Sequence, residues 1–211
     1  MPFVLEKGKI EIVMNDAARR KITVVGPTGV GKTSLVTRMC YDCFDTESPT
    51  LGASYSSTEI TGADHRPYVL DFWDTAGLEK FATVIPIYYP NTFIFWFVFD
   101  LSDEESFDKM VMVSLSVFQR MKNDIKIYLI GNKMDLAQNI TWMDKVNNFM
   151  RRLNNITYFQ TSAKTGEGIP LVKYQLETDC ILDPVSKECD VVDIEKPAVR
   201  NHAEDKSKTC C

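Results

Sequence analysis

Residues 26–33 read Gly26-Pro27-Thr28-Gly29-Val30-Gly31-Lys32-Thr33, between a short β-branched run, Lys21 to Val25, and a helix that we predict for Lys32 to Cys43. The eight residues match G-x-x-x-x-G-K-[ST] in the strand-then-helix setting that gives this pattern its meaning. The glycines allow successive backbone N–H groups to face a phosphate, and the helix start adds unpaired donors and a positive dipole end. The stretch therefore predicts a phosphate-binding loop.

Two side chains of this loop add chemistry to the backbone. Lys32 can reach the β- and γ-phosphates, and the hydroxyl of Thr33 can ligate Mg²⁺. Alone, the loop indicates a nucleoside triphosphate and not its base. The candidate nucleotide-binding residues here are Gly26, Thr28, Gly29, Val30, Gly31, Lys32, Thr33 and Ser34.

A second candidate segment begins where a later predicted strand ends. Asp74 closes this strand and is followed by Thr75-Ala76-Gly77. A carboxylate at this position is expected across from Thr33, where it can hold Mg²⁺ directly or through water. The backbone N–H of Gly77 could then meet a γ-phosphate oxygen. D-x-x-G is weak evidence in isolation, but its place after the loop and at a strand end favours a metal and γ-phosphate site.

Two more segments bear on the base. Asn132-Lys133-Met134-Asp135 follows the predicted strand Ile125 to Ile130, and the Asp135 carboxylate can accept two N–H bonds from the N1 and N2 edge of guanine. Adenine lacks both donors and would leave a buried carboxylate unpaired, which discriminates strongly. Ser162-Ala163-Lys164 follows the last predicted strand, and the Ala163 N–H could reach guanine O6. Together and in this order, the four segments predict a guanine-nucleotide site.

Strands and helices alternate along the chain, which predicts an α/β fold with a mainly parallel sheet covered on both faces. One antiparallel hairpin is predicted from Tyr55 to Asp74, with a tight turn at Gly62-Ala63-Asp64. The apolar run within Phe93 to Leu101 is typical of a strand buried on both sides. The next helix should bury a stripe at i, i+3, i+4 and i+7 spacing, formed by Phe107, Met110, Val111, Ser114, Leu115, Phe118 and Met121. Later predicted elements are a helix with its stripe from Trp142 to Leu153, a strand from Ile156 to Gln160, and a helix from Ile169 to Cys180.

The domain organisation follows from where this periodicity stops. Residues 1–18 are interpreted as an N-terminal extension, residues 19–182 as one nucleotide-binding domain, and residues 183–211 as a flexible polar tail that ends in Cys210-Cys211.

Composition excludes several functional classes. A net charge of −5 argues against nucleic acid as the main partner. The longest apolar run falls far short of the roughly 20 residues that span a bilayer, and the first residues lack the layout of a signal peptide. We therefore expect a cytoplasmic protein without a disulfide framework. Cys40 and Cys43 form C-x-x-C, but no second ligand pair with zinc spacing follows, so we interpret them as two cysteines near a helix end.

These motifs resemble the Ras superfamily of small GTPases, most closely its Rab branch, over about Arg20 to Cys180. The resemblance implies a six-stranded, mostly parallel sheet with one antiparallel edge strand and about five flanking helices. It implies GTP or GDP and Mg²⁺ as ligands, with Thr33, Thr50 and Asp74 at the metal. It also implies two segments that sense the γ-phosphate, at about Phe44 to Tyr55 and Asp74 to Tyr89. The expected partners are an exchange factor, a GTPase-activating protein, effectors and a prenyl-delivery chaperone, all acting on a monomer.

The branch is inferred from several segments, with some features pointing elsewhere. Trp73 to Gly77, Tyr88-Tyr89 and Phe99 to Ser102 are similar to Rab segments, whereas Pro90 is Rho-like. The terminal Cys210-Cys211 looks like the doubly prenylated end of Rab proteins, because Lys208 excludes a C-a-a-X box. Two lipid chains suffice for stable anchoring, so we expect a peripheral protein on the cytosolic face of an intracellular membrane.

Three departures from the family pattern put catalysis in doubt. Leu78 stands where the family has the glutamine that orients the attacking water. Thr28 adds bulk near the γ-phosphate. The first switch is one residue short, so Phe44 is only a candidate for the aromatic ring that stacks on the base. The candidate catalytic positions are thus Lys32, Thr50, Gly77 and Leu78, the last impaired.

Three functional hypotheses remain open at this point. The leading one is a Rab-like switch in membrane traffic with weak intrinsic hydrolysis. The second is a hydrolysis-deficient interaction module that stays bound to GTP, or a Rho- or Ras-like signalling GTPase. The third, a metabolic P-loop kinase or ATPase, is disfavoured by the N-K-M-D segment and by the lack of an acceptor-substrate domain.

Overall fold

The computed structural model describes residues 5–6, 9–10, 17–44, 53–75, 88–119 and 125–181. Leu5–Glu6 (β1) and Lys9–Ile10 (β2) form a small antiparallel ladder. The main sheet has six strands: Ala18–Val25 (β3), Ala53–Thr61 (β4), Pro67–Thr75 (β5), Ile94–Asp100 (β6), Lys126–Asn132 (β7) and Ile156–Gln160 (β8). Four helices are described: Lys32–Tyr41 (α1), Glu104–Phe118 (α2), Met143–Met150 (α3) and Ile169–Asp179 (α4).

The order of strands in the sheet is β4-β5-β3-β6-β7-β8. Only the β4–β5 pair is antiparallel, so β4 is the antiparallel edge strand that the sequence predicts. The described residues contain four helices, whereas the resemblance implied about five for the whole domain. The predicted α/β class and mixed sheet are confirmed.

Burial explains why the central strands read as continuous apolar runs. All seven residues of β6 are buried, since one apolar cluster covers each face of the sheet. The β4–β5 turn forms where predicted: the Gly62 N–H donates to the Arg66 carbonyl at 2.8 Å, and His65 takes a left-handed φ of 61°. The aligned carboxyl ends of β3, β6 and β7 open towards one edge, where α/β proteins place ligands.

The predicted stripe on α2 needs one correction. Phe107, Met110 and Ser114 are buried, but Leu115 is 47% exposed and Val117 is completely buried. Each α-helical residue turns the side chain by about 100°, so the strip that faces β6 passes through Val117 and leaves Leu115 towards solvent. At its start, Asp103 accepts a hydrogen bond from the Glu105 N–H and caps the helix.

Candidate nucleotide-binding site

The loop between β3 and α1 depends on glycine at two positions. A Cβ atom on Gly26 would lie 2.2 Å from the carbonyl oxygen of Val98, and one on Gly31 would lie 2.5 Å from the Asn132 side-chain nitrogen. Gly31 also has a left-handed φ of 88°, which favours glycine. The loop therefore lies directly against β6 and the end of β7, with α1 beginning at Lys32.

Lys32 is held inside this loop. Its side chain is buried, and the ammonium group donates to the carbonyl oxygens of Gly26 at 3.0 Å and Pro27 at 2.8 Å. The charge of Lys32 is thus held against the loop that we expect to bind the phosphates.

Thr33 and Asp74 meet across the sheet edge. The Thr33 hydroxyl donates to Asp74 Oδ2 at 2.6 Å, and the Ser54 hydroxyl donates to the same oxygen at 3.3 Å. Asp74 is 1% exposed. A hydroxyl and a carboxylate are the hard oxygen donors that Mg²⁺ prefers, so this pair fits the predicted metal ion. The structure brings together these two predicted ligands.

Asn132 connects the phosphate loop to the segments that we expect to read the base. Its side-chain nitrogen donates to the Val30 carbonyl at 2.9 Å. Its side-chain oxygen accepts hydrogen bonds from the Thr161 hydroxyl at 3.3 Å and from the Ala163 N–H at 3.1 Å. That N–H could reach guanine O6 only by sharing or leaving its bond to Asn132. The side chain of Asn132 is therefore a structural bridge within the site.

Asp135 and Lys133 are each oriented by a neighbour. The Ser162 hydroxyl donates to Asp135 Oδ1 at 2.6 Å, which fixes the carboxylate expected to read guanine. Lys133 has a left-handed φ of 61°, and its ammonium group pairs with Asp100 Oδ2 at 2.8 Å. Asp100 is a residue that sequence reasoning missed as part of the site. Its sequence signals are its place at the end of the β6 run, on the strand next to that of Asn132, and its position within the Rab-like segment Phe99 to Ser102.

The side chain of Thr28, in the phosphate loop, is exposed. There it lines a polar cavity of about 160 Å³ between residues 27–30 and the charged groups of Asp100, Lys109 and Lys133.

An aromatic surface, formed by Tyr55, Trp73 and Tyr88, lies along β4 and β5. The Trp73 ring centroid is 5.6 Å from each of the two tyrosine ring centroids. The Lys21 ammonium lies 4.9 Å from the centroid of the Trp73 ring and donates to the Pro90 carbonyl at 2.8 Å. Burial lowers the pKa of Lys21 to about 8. Beside this surface, Asp71 is paired with Arg19 and accepts from the Tyr55 hydroxyl at 2.5 Å.

Several predicted residues lie at the margin of the described structure or outside it. Phe44 is half-buried and packs against the larger core cluster. Cys40 lies in the last turn of α1 and Cys43 two residues after the helix ends; burial raises the pKa of the Cys40 thiol to about 12 and so disfavours a metal-binding thiolate. Thr50, Gly77, Leu78, Cys210 and Cys211 lie outside the described residues. None of the helices described in the structure is long and apolar enough to cross a membrane.

Comparison with known proteins gives the class that this fold and site define. The model of the Ras family matches residues 21–181, so the chain belongs to the Ras family. It is 38% identical over 157 residues to the GTP-binding protein YPT53 of Saccharomyces cerevisiae, covering 71% of this chain and 70% of that protein. It is 34% identical over 167 residues to the Ras-related protein Rab-18 of Lymnaea stagnalis, covering 78% and 81%. The GTP-binding protein ypt5 of Schizosaccharomyces pombe is 32% identical, over 71% and 72%. These relatives identify the chain as a small GTPase of the Rab type.

Proposed function

We propose that this chain is a Rab-like switch that binds GTP and GDP with Mg²⁺ and recruits effectors in its GTP-bound form. The observation that carries the proposal is the bridge made by Asn132, which joins the phosphate loop at Val30 to the base-reading loop at Ala163. A site that binds phosphates and reads guanine needs both loops at a fixed separation. Lys32 would hold the β- and γ-phosphates, Asp135 would read the base, and Thr33, Thr50 and Asp74 would ligate Mg²⁺, which screens phosphate charge.

Competition binding with a fluorescent GDP analogue tests this proposal. Unlabelled GDP and GTP should displace the analogue at far lower concentrations than ADP and ATP, and added Mg²⁺ should slow its release. Equal potency of ATP and GTP would refute guanine selectivity. Asp144→Asn is a matched acidic control outside the site, because Asp144 lies in the first turn of α3, and it should leave this selectivity unchanged.

The aromatic surface of Tyr55, Trp73 and Tyr88 supports the effector part of the proposal. It joins Tyr55, which lies in β4 and ends the first switch segment, to Tyr88, which belongs to the second. A partner that contacts both would respond to the state of both segments. The resemblance to Rab proteins leads us to expect an effector, an exchange factor, a GTPase-activating protein and a chaperone that delivers prenyl groups.

We also propose that the chain attaches to a membrane through prenylated Cys210 and Cys211. The resulting protein would be a monomer bound peripherally to the cytosolic face of an intracellular membrane, from which it acts in membrane traffic. The test is fractionation of cells that express the full chain or a double variant, Cys210→Ser with Cys211→Ser. The variant should shift from the membrane to the soluble fraction while its affinity for GDP stays the same; continued sedimentation with membranes would contradict the lipid anchor.

A second candidate function rests on Leu78, which stands at the position of the water-orienting glutamine. A leucine side chain has no donor or acceptor, so it cannot orient water. The chain would then be a hydrolysis-deficient module that stays bound to GTP. Slow hydrolysis of GTP is compatible with both candidates. They are separated by comparing the single-turnover rate of the unmodified chain with that of a Leu78→Gln variant, because equal rates would exclude the hydrolysis-deficient module.

A further inference from the structure

Arg38, in the last turn of α1, makes contacts that none of the recognised motifs explains. Its guanidinium group donates through Nε to the Ala163 carbonyl at 2.9 Å and through Nη2 to the Lys164 carbonyl at 2.9 Å. Both acceptors belong to the base-reading loop, residues 162–164. A planar guanidinium that meets two consecutive carbonyls fixes both the position and the orientation of that loop.

The same side chain holds the end of its own helix. Arg38 Nη1 donates to the Asp42 carbonyl at 2.8 Å and lies 3.3 Å from the Asp42 carboxylate. Asp42 has a left-handed φ of 51°, and its N–H donates back to the Arg38 carbonyl at 3.0 Å. The chain therefore turns at Asp42 and reaches Phe44 two residues later, where the ring packs on the core.

Arg38 thus joins two walls of the proposed base pocket. One wall is the loop in which Ser162 orients Asp135, and the other is the end of α1, which leads to Phe44. The Arg38 side chain is only 14% exposed, so water can replace its bonds to the two loop carbonyls only in part.

We propose that Arg38 is a positioning residue that sets the geometry of guanine recognition by tying the base-reading loop to the end of α1. This inference rests on the proposed guanine-nucleotide binding. Arg38 acts through Asp135 and Phe44, and it does so at the base end of the site. Its loss should consequently weaken GDP and GTP binding by the same factor, because the base is common to both nucleotides.

The test compares Arg38→Gln with Arg20→Gln as a matched control. Arg20 also donates from its guanidinium to a backbone carbonyl, that of Cys180 at 3.0 Å, and it is 6% exposed, but it lies at the start of β3. Release of fluorescent GDP and GTP analogues should be at least about tenfold faster from Arg38→Gln, in equal measure for both. A tenfold change corresponds to about 1.4 kcal/mol. Arg20→Gln should release both analogues at the wild-type rate.

A second readout separates positioning from a general loss of stability. IDP lacks the 2-amino group of GDP, so the ratio of GDP to IDP affinity reports the alignment of Asp135. Arg38→Gln should lower this ratio, and Arg38→Lys, which keeps one cationic donor, should recover part of it. An unchanged ratio, or a defect confined to GTP, would overturn the inference. If the wild type itself fails to prefer GDP over ADP, the proposed function fails, and that outcome is visible before any variant is made.

Discussion

The base end and the phosphate end of the site are built differently. At the base end, the groups that would recognise guanine are held by neighbours outside the base contact: Asp135 by Ser162, the loop carbonyls by Arg38, and the two loops by Asn132. At the phosphate end, the reactive groups satisfy one another, since Lys32 bonds to its own loop and the Thr33 hydroxyl bonds to Asp74.

This difference assigns separate tasks to the two ends. Asp135 is oriented by Ser162 before a base binds, so recognition of the N1 and N2 edge of guanine needs little reorganisation. The Ala163 N–H, which donates to Asn132, is the exception at this end. Groups that exchange partners can instead respond to whether a γ-phosphate and Mg²⁺ are present. Base selectivity should therefore be the same for GDP and GTP, and the phosphate end should carry the distinction between them.

Replacing Asp135 by alanine should produce the largest effect, and it should impair recognition of the base without changing the contacts at the phosphate end. The loss of charged hydrogen bonds to guanine should cost at least about 1.5–3 kcal/mol, and it should be equal for GDP and GTP. Selectivity over ADP should fall by the same factor. Isothermal titration with the four nucleotides measures this. Asp135→Asn is the informative companion, because its carboxamide can donate to the 2-oxo group of xanthine and should favour XDP over GDP; a variant that still prefers GDP would contradict the assigned role.

Restoring a glutamine at position 78 tests the phosphate end. The glutamine side chain would orient the water that attacks the γ-phosphate and so lower the barrier to hydrolysis. Leu78→Gln should speed intrinsic single-turnover hydrolysis by about ten- to a hundredfold, which is roughly 1.4–2.7 kcal/mol of barrier, with GTP affinity unchanged.

The matched comparison for this prediction adds Thr28→Gly to the glutamine variant, because the bulk of Thr28 could limit the recovery. All reactions are run without any partner protein, so that no side chain of a partner can replace the missing glutamine. If the unmodified chain already hydrolyses GTP as fast as Leu78→Gln, then Leu78 does not slow hydrolysis, and the persistently GTP-bound candidate is excluded.

Sequence reasoning predicted the strands of the main sheet better than the exact faces of its helices. Continuous β-branched and aromatic runs such as β6 have few alternatives to a buried strand, and β8 was predicted with the bounds that are observed, Ile156 to Gln160. The burial of Leu115 was predicted wrongly, because the apolar pattern of α2 is nearly continuous and does not specify which strip faces β6. Helix α1 ends two residues earlier than predicted, at Tyr41, where Asp42 takes a left-handed conformation.

The site was predictable to the extent that its residues lie in contiguous motifs. The proximity of Thr33 and Asp74, 41 residues apart, followed from motif order and parallel strands. The roles of Asp100 and Arg38 were missed because each contacts a motif residue that is far away in the sequence. A local sequence pattern cannot predict such a contact. Long-range hydrogen bonds to backbone carbonyls require the fold before they can be identified.

Thr33→Asn should separate the two ends with a smaller effect. The substitution replaces the Thr33 hydroxyl by a longer amide. This hydroxyl donates a hydrogen bond to Asp74, and we propose it as a Mg²⁺ ligand. We expect about a tenfold loss, or about 1.4 kcal/mol, for GTP with Mg²⁺ and a lesser loss for GDP. Titrations in the presence and absence of Mg²⁺ give the comparison, with Thr37→Asn as the matched control one turn later in α1 and outside the candidate site. Equal losses for the two nucleotides would remove Thr33 from the groups that sense the γ-phosphate.

The smallest expected effect lies outside both ends, at Lys21 beneath the aromatic surface. Burial lowers the pKa of its ammonium group from 10.5 to about 8, although the nearby Asp71 opposes the shift. Between pH 8 and 10.5 the unfolded chain therefore binds more protons at this position than the folded chain, so stability from this group rises with pH across that window. Loss of the proton also removes the cation 4.9 Å from the Trp73 ring. We expect a small change in tryptophan emission with a midpoint near pH 8. The change should be absent in Lys21→Met, which has no charge, and in Lys21→Arg, which keeps its charge throughout. A step of equal size in all three proteins would assign the titration to another group and leave the aromatic surface independent of Lys21.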